Sequence, residues 1–187
     1  MGTLSYTVTM SLDGYAADAD GDFQWSAPGD EVFALHVQRL SEVTTEVLGR
    51  RTFALMEYWR SEPEGESWSD AEREFARRWQ GLDHYVASAT LTADDVDPGR
   101  ACLVSDLTLE ELDDIVEAAA GEVEIFGPTT AAEAVGSGRV RDFRFFIVPK
   151  VVGGGLRALP EGVALDLRPV EHRVFDDGTS FLHLRAR

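Results

Sequence analysis

Segments with strand periodicity and segments with helix periodicity alternate up to roughly residue 150, and the chain closes on two alternating apolar stretches joined through Asp177-Gly178. Those two observations predict an α/β fold with a mainly parallel sheet and an antiparallel C-terminal hairpin. Parallel neighbours need a helical crossover, whereas a hairpin needs only a tight turn. A third observation is that no internal repeat, low-complexity run or linker interrupts the pattern, which predicts a single domain over residues 1–187.

Taken in order, Leu4, Tyr6, Val8 and Met10 alternate with Ser5, Thr7 and Thr9, the two-residue period of a strand. The stretch SLDGYAADADGDFQW, with Gly14, Gly21 and several aspartates, reads as a loop. In DEVFALHVQRLSEV, Val32, Leu35, Leu40 and Val43 recur at helical spacing, so a helix is expected through Val43. EVLG is a short strand ended by Gly49, and RRTFALMEYW is helix again. Beyond the polar RSEPEGESWS, an exposed loop or part of a contact between copies, Ser69 and Glu72 have the spacing of a capping box, heading a helix to about Gln80. Thr108 and Glu111 repeat that spacing before LEELDDIVEAAA. HYVAS, ACLV, EVEIF and DFRFFIVP read as strands, and EVEIF leaves through Gly127-Pro128 into an alanine-rich helix.

The formal net charge of -17 argues against a phosphate-backbone partner and disfavours an anionic membrane surface. An anionic small ligand would need a local cluster of positive charge, and arginine must supply it, because Lys150 is the only lysine. Cys102 is alone, so no internal disulfide is possible; in its short apolar run it reads as a buried, inert thiol. The chain starts on a strand pattern without a secretory leader and has no apolar run of about 20 residues. The expectation is a cytoplasmic protein.

Ligands in open α/β folds bind beyond the carboxyl ends of the parallel strands. Three such ends suit phosphate. In LGRRTF, Gly49 ends a strand, Arg50 and Arg51 follow, and Thr52 opens the helix. The alternative there is that the arginines pair with surface carboxylates. In VASATL, Ser88 and Thr90 follow a strand. In EIFGPTTAAEAV, Thr129 and Thr130 offer hydroxyls and N–H groups at the positive end of a helix, although Pro128 at a first helical position needs no ligand to explain it. ADADGDF is no calcium loop, since alanines stand at the first and twelfth positions, and the four histidines lack metal-ligand spacing. VVGGGLRALP lacks the dinucleotide fingerprint and reads as a flexible connection.

TMSLDGYAA, GDFQW, LGRRTFALM, YVASATL, EIFGPTTAAEAV and FFIVPKVVGGG, in that order, resemble the dihydrofolate reductase fold, and within it the reductase domain of bacterial riboflavin-biosynthesis deaminase/reductases. The resemblance implies a three-layer α/β domain and a free-standing NADPH-dependent reductase, similar to 5-amino-6-(5-phosphoribosylamino)uracil reductase, that transfers hydride to a small pteridine- or aminopyrimidine-like heterocycle. It implies cofactor contacts from Gly49, Arg50, Arg51, Thr52, Ser88, Gly127, Pro128, Thr129 and Thr130. Gly127-Pro128 stands where the family has a cis Gly-Gly pair; a cis bond is cheapest before proline, so a cis Gly127–Pro128 peptide is expected. Asp30 lies near the position of the acid of true dihydrofolate reductases and is the candidate catalytic residue. Asp13, Gly14, Trp25, Phe53, Met56 and Lys150 are candidate substrate contacts, with Phe53 and Met56 equally explained as core. No metal, nucleic acid or membrane is expected; a homodimer is. Two alternatives stay open: a genuine dihydrofolate reductase, which would need Asp30, and a non-catalytic nucleotide- or small-molecule-binding protein on the same scaffold.

Overall fold

The computed structural model describes residues 2–187. The chain runs through β1 (Thr3–Ser11), β2 (Tyr15–Ala17), α1 (Asp30–Arg39), β3 (Val43–Gly49), α2 (Arg50–Met56), α3 (Asp70–Trp79), β4 (Asp83–Ala87) and β5 (Cys102–Val104). It continues through α4 (Leu109–Ala118), β6 (Glu122–Phe126), α5 (Pro128–Gly136), β7 (Asp142–Val148), β8 (Leu156–Arg157), β9 (Leu167–Val174) and β10 (Ser180–Ala186). The large sheet has eight strands in the order β5-β4-β3-β6-β1-β7-β10-β9, and β2 pairs with β8 in a small second sheet. The expected α/β class, mainly parallel with an antiparallel C-terminal pair, is what the strand pairing shows.

Two compact units make up the chain, one from Phe33–Glu124 and the other from Thr3–Val32 with Ile125–Arg187. In the first, β3, β4 and β5 run parallel, with Gly49 opposite Ala87 and Val86 opposite Leu103. Val43 begins β3 and does not end α1. Its spacing from Leu40 mimics a helical period, but the chain has already turned through Arg39–Glu42. Cys102 is exposed, contrary to the buried thiol expected, because it opens β5, an outer strand of the sheet. Both capping boxes form: Ser69 and Glu72 bond reciprocally at the head of α3, as do Thr108 and Glu111 at the head of α4. The polar stretch before α3 is pinned by Trp68, which is buried, donates its Nε1–H to Tyr58 Oη at 2.9 Å and packs 5.5 Å from the Trp59 ring.

This unit also buries charge. Glu46 Oε2 accepts the Trp79 indole N–H at 2.8 Å, and Arg39 pairs with Glu124. Burial, with Glu124 nearby, pushes the Glu46 carboxyl up to about 8, while burial and then Arg60 push the His84 imidazole down to about 4. The 3.7 Å approach of His84 Nε2 to Glu46 Oε2 is therefore a meeting of two neutral groups near neutral pH.

In the second unit, β1 pairs with β7 in parallel and β10 with β7 in antiparallel fashion. The alternation in β1 separates two covered faces, since Ser5 and Thr7 are as buried as Leu4, Tyr6 and Val8. Hydroxyls can sit on a buried face only with partners, and neither of these residues is without one. Tyr6 donates its phenol to Ala158 O at 2.6 Å. The C-terminal hairpin is tied down by Asp142, whose Oδ1 accepts from Arg185 Nη2 at 2.8 Å and lies 2.6 Å from His183 Nε2. The glycine-rich stretch after β7 is an anchored strap and not the flexible connection expected. Asp13 accepts the N–H groups of Val152 and Gly153, and Gly155, at φ +128°, passes so close to Ala17 O that a Cβ would lie 2.1 Å away.

The buried carboxyl generates one expected outcome. Folded Glu46 keeps its proton at pH values where the unfolded chain, with an ordinary value of 4.5, has lost it. Its contribution to stability is full below 4.5 and is lost as pH rises toward 8. Glu46→Gln should flatten that decline, the two proteins diverging by up to about 1.4 kcal/mol per pH unit, the one-proton limit; urea midpoints measured across this range check it. Removing the aromatic anchor in Trp68→Ala should cost about 3–5 kcal/mol by the same measurement.

Candidate functional site

A helix leaves its first N–H groups without intrahelical partners, so each helix start asks what satisfies them. α3 and α4 use side-chain caps and carry acids in their first turns, and α1 begins with Asp30 and Glu31. α2 and α5 differ. Each is preceded by a glycine with no side chain to accept, and neither has an acid in its first turn.

At the start of α2, Gly49 stands opposite Ala87, so Gly49, Arg50, Arg51 and Thr52 leave the sheet beside Ser88. Arg50 and Arg51 are exposed, and among the described residues neither guanidinium has a hydrogen-bond or ion-pair partner. That answers the alternative raised by the sequence: these two arginines do not pair with surface carboxylates, whereas Arg73, Arg77, Arg78, Arg100 and Arg173 do. Ser88 Oγ accepts the N–H groups of Thr90 and Leu91 at 3.2 and 3.1 Å and lies 3.3 Å from Thr90 Oγ1, contacts that shape the loop. Phe53 packs with Leu91 and Leu103 on the buried cluster of Val86, Val96 and Ala101, its core alternative. Met56 is half-buried in the last turn of α2.

At the start of α5, the Gly127–Pro128 peptide is trans, which corrects the cis bond expected. Gly127 turns the chain from β6 into the helix through φ +99°, a conformation open to glycine alone without strain. Pro128 takes the first helical position, and Thr129 and Thr130 follow with hydroxyls that have no partner among the described residues.

The second unit holds a cavity of about 220 Å³. Trp25, Pro28, Val32, Val148 and Pro149 form its apolar walls, and Thr9, Thr179 and Asp177 its polar ones. Trp25 is fixed by its Nε1–H, donated to Asp22 O at 3.0 Å, and Lys150 Nζ lies 5.7 Å from the centre of its ring. Two of the expected substrate residues are thus brought together. Asp30 is not on the cavity wall; it lines an adjoining concavity of about 160 Å³ with Gly29, Glu31, Asp176 and Asp177. Asp13 and Gly14 serve the strap and its turn. The Ser11 hydroxyl and the N–H groups of Gly153 and Val152 hold the Asp13 carboxyl below its usual range, while Gly14 O accepts from Ala158 N–H. Asp177 was legible in the sequence only as half of a turn dipeptide. Its place on both concavities comes from the hairpin tip reaching α1, where Asp176 N–H donates to Glu31.

Among the described residues no group of three or more His, Cys, Asp or Glu could hold a metal ion, and no helix is long and apolar enough to cross a membrane. In the aspartate-rich loop, Asp18 Oδ1 accepts the N–H groups of Asp20 and Asp22, a self-contained turn.

A family model for the RibD C-terminal domain matches residues 3–181. Among solved structures, a protein of Shewanella sp. PV-4 ascribed to riboflavin biosynthesis is similar with a TM-score of 0.73 and 21% identity, covering 99% of this chain and 99% of its own. The diaminohydroxyphosphoribosylaminopyrimidine deaminase/5-amino-6-(5-phosphoribosylamino)uracil reductase of Thermotoga maritima is similar with a TM-score of 0.63 and 14% identity; the match covers 100% of this chain and 57% of that protein. Dihydrofolate reductase from Enterococcus faecalis, complexed with NADP(H), matches with a TM-score of 0.64 and 13% identity over 100% of this chain and 97% of that one. At such identities these likenesses show the fold. No curated protein matches the chain. The match over residues 3–181 goes further than the fold: the chain belongs to the RibD C-terminal domain family.

Proposed function

We propose that the chain works as one NADPH-dependent reductase domain acting on a small pteridine- or aminopyrimidine-like heterocycle. The observation that carries this reading is the pair Arg50 and Arg51, without a carboxylate partner among the described residues in a chain of net charge -17, at an uncapped helix start beside Ser88. Two guanidiniums and free N–H groups are donors for phosphate, and a 2′-phosphate is what distinguishes NADPH from NADH. The second uncapped start, Gly127 to Thr130, offers hydroxyls and N–H groups of the same kind. Pro128 gives up one donor there, so Thr129 and Thr130 supply what is needed. The residues present fit the phosphate-bearing part of the cofactor, and when bound it supplies hydride. The protein's own work is to hold that ligand and to keep the acceptor ring in a dry pocket.

For the acceptor, the cavity beside Trp25 has apolar walls for a flat ring and a carboxylate and hydroxyls for its polar edge. Lys150, at the rim over Trp25, suits an anionic extension of the ligand. The reductase named for Thermotoga and the NADP(H)-bound Enterococcus enzyme support this reading as relatives on the same fold. The same proposal includes a homodimer, for which the outer strand β9, with Val170 and Val174 exposed, offers a surface to cover.

Calorimetry at low salt tests the proposal. NADPH should bind in preference to NADH, and Arg51→Ala should weaken NADPH about tenfold, the scale of one charge-assisted contact. Equal affinity for the two cofactors would remove the role given to Arg50 and Arg51. Selective binding without single-turnover hydride transfer to any pteridine or aminouracil would leave a binding protein and not a reductase.

A further inference from the structure

We propose that Asp13, in the turn after β1, is a positioning residue for the acceptor cavity: it clasps the glycine-rich strap and thereby holds Lys150, the one lysine of the chain, over Trp25 at the cavity mouth. The inference deepens the reductase reading and rests on it for the use of the cavity as the acceptor site.

The strap leaves β7 through Val148 and Pro149, both on the cavity wall, and bears Lys150 next. Its own sequence cannot hold it in place. Gly153, Gly154 and Gly155 follow one another, and glycine has the most backbone freedom to lose. Apolar packing does not hold it either, since Val151 of the strap and Leu12 of the turn beside it are 64% and 66% exposed. Polar ties remain. At the two ends, Leu12 N–H donates to Lys150 O at 2.7 Å and Ala158 N–H to Gly14 O at 3.0 Å. Between those ends, Asp13 is the one side chain among the described residues that hydrogen-bonds the strap. Its Oδ1 accepts Val152 N–H at 3.2 Å and its Oδ2 accepts Gly153 N–H at 2.8 Å.

Both carboxylate oxygens are therefore in use, and an amide is no substitute: it keeps one acceptor and turns a second N–H toward a donor. Ser11 fixes the carboxylate from its other side, with its hydroxyl hydrogen-bonded to Asp13 and its Oγ accepting Tyr15 N–H at 3.0 Å. The effect reaches the cavity through Lys150, whose ammonium lies 5.7 Å from the centre of the Trp25 ring. One exposed contact of a cation with a ring is too weak to order a free glycine-rich segment, so the backbone must bring the lysine there. With the clasp undone, the cavity loses the cation at its mouth and the support of its Pro149 wall together, and the acceptor ring meets water.

The test uses the full-length protein. Because Lys150 is the only lysine, reductive methylation with 13C-formaldehyde gives one side-chain NMR signal, beside that of the terminal amine, and keeps the charge. In the wild type the Trp25 ring current should displace that signal, and Trp25→Leu should return it to the position of a free dimethyl-lysine. Asp13→Asn should move it most of the way to that position and quicken amide exchange at Val152 and Gly153 about tenfold, with exchange in β1 and β7 unchanged. Gly154 has open space around it and a φ outside the left-handed region, so Gly154→Ala restricts a released strap without strain. Added to Asp13→Asn, it should recover part of both effects. Asp166→Asn, which takes the same charge from the partner of Arg187, should change neither. A Lys150 signal that stays at its wild-type position in Asp13→Asn would overturn the assignment. So would exchange that quickens equally throughout β1 and β7, the mark of a residue that merely supports the fold. NADPH calorimetry on the same proteins separates the two ideas. A Lys150 signal governed by Asp13 in a protein with no affinity for NADPH would sink the reductase reading alone. Normal NADPH binding with a Lys150 signal indifferent to Asp13 would sink the clasp alone.

Discussion

Unpaired N–H groups at helix starts are the constraint from which the rest of this protein's chemistry follows. Each must find an acceptor, and a chain rich in acids has acceptors everywhere. α3 and α4 take the ordinary solution, a hydroxyl cap and a reciprocal glutamate, which closes those ends to any other ligand. α2 and α5 begin after glycines and without acids. The difference between the two pairs is one of sequence at a handful of positions, and it divides helix starts capped by their own side chains from helix starts that no side chain caps.

Much of the fold was legible because its signals are local. A capping box is a four-residue pattern whose bonds form within one turn, so Ser69 with Glu72 and Thr108 with Glu111 could be read without knowing their surroundings. The strands of the large sheet were visible for a similar reason, since their apolar runs are bounded by turn residues. What failed depended on partners far away in sequence. Val43 fits a helical period by accident, and only its place at the start of β3 shows which period governs it. β2 and β8 are too short to carry a period; they exist because Gly155 lets the strap lie against Ala17 and Asp18. Cys102 has the neighbours of a buried residue in sequence, but an outer strand has one side uncovered.

The candidate site divides along the same line. Glycine, arginine, arginine and threonine at a strand end are contiguous, and the structure sets them at a helix start with no side-chain cap and no acid in its first turn. The Gly-Pro junction was read through proline, whose small cis penalty made a cis bond reasonable. In the molecule the glycine makes the turn through its positive φ, and the proline simply begins the helix. Asp177 could not be found from sequence at all. Its relation to Gly29 spans most of the chain, and its own neighbours, glycine and threonine, announce only a turn.

Net charge and local charge therefore answer different questions. Two charges interact by only about 1 kcal/mol at 4 Å in bulk water, and salt screens them beyond roughly 8 Å under physiological conditions. The surplus of acids consequently reaches a ligand mainly as it approaches, where it discourages large polyanions whose charge extends over the whole surface. Within contact distance the local donors decide. At the start of α2 those are two guanidiniums that no carboxylate among the described residues has neutralised, on a surface where most arginines have found one. Keeping them free costs little because water solvates both, and it preserves the five donors of each for a group that can use them. An acidic surface can in this way disfavour polyanions as a whole and still be compatible with a single bound phosphate, provided that acids are excluded from the few positions where the phosphate would lie.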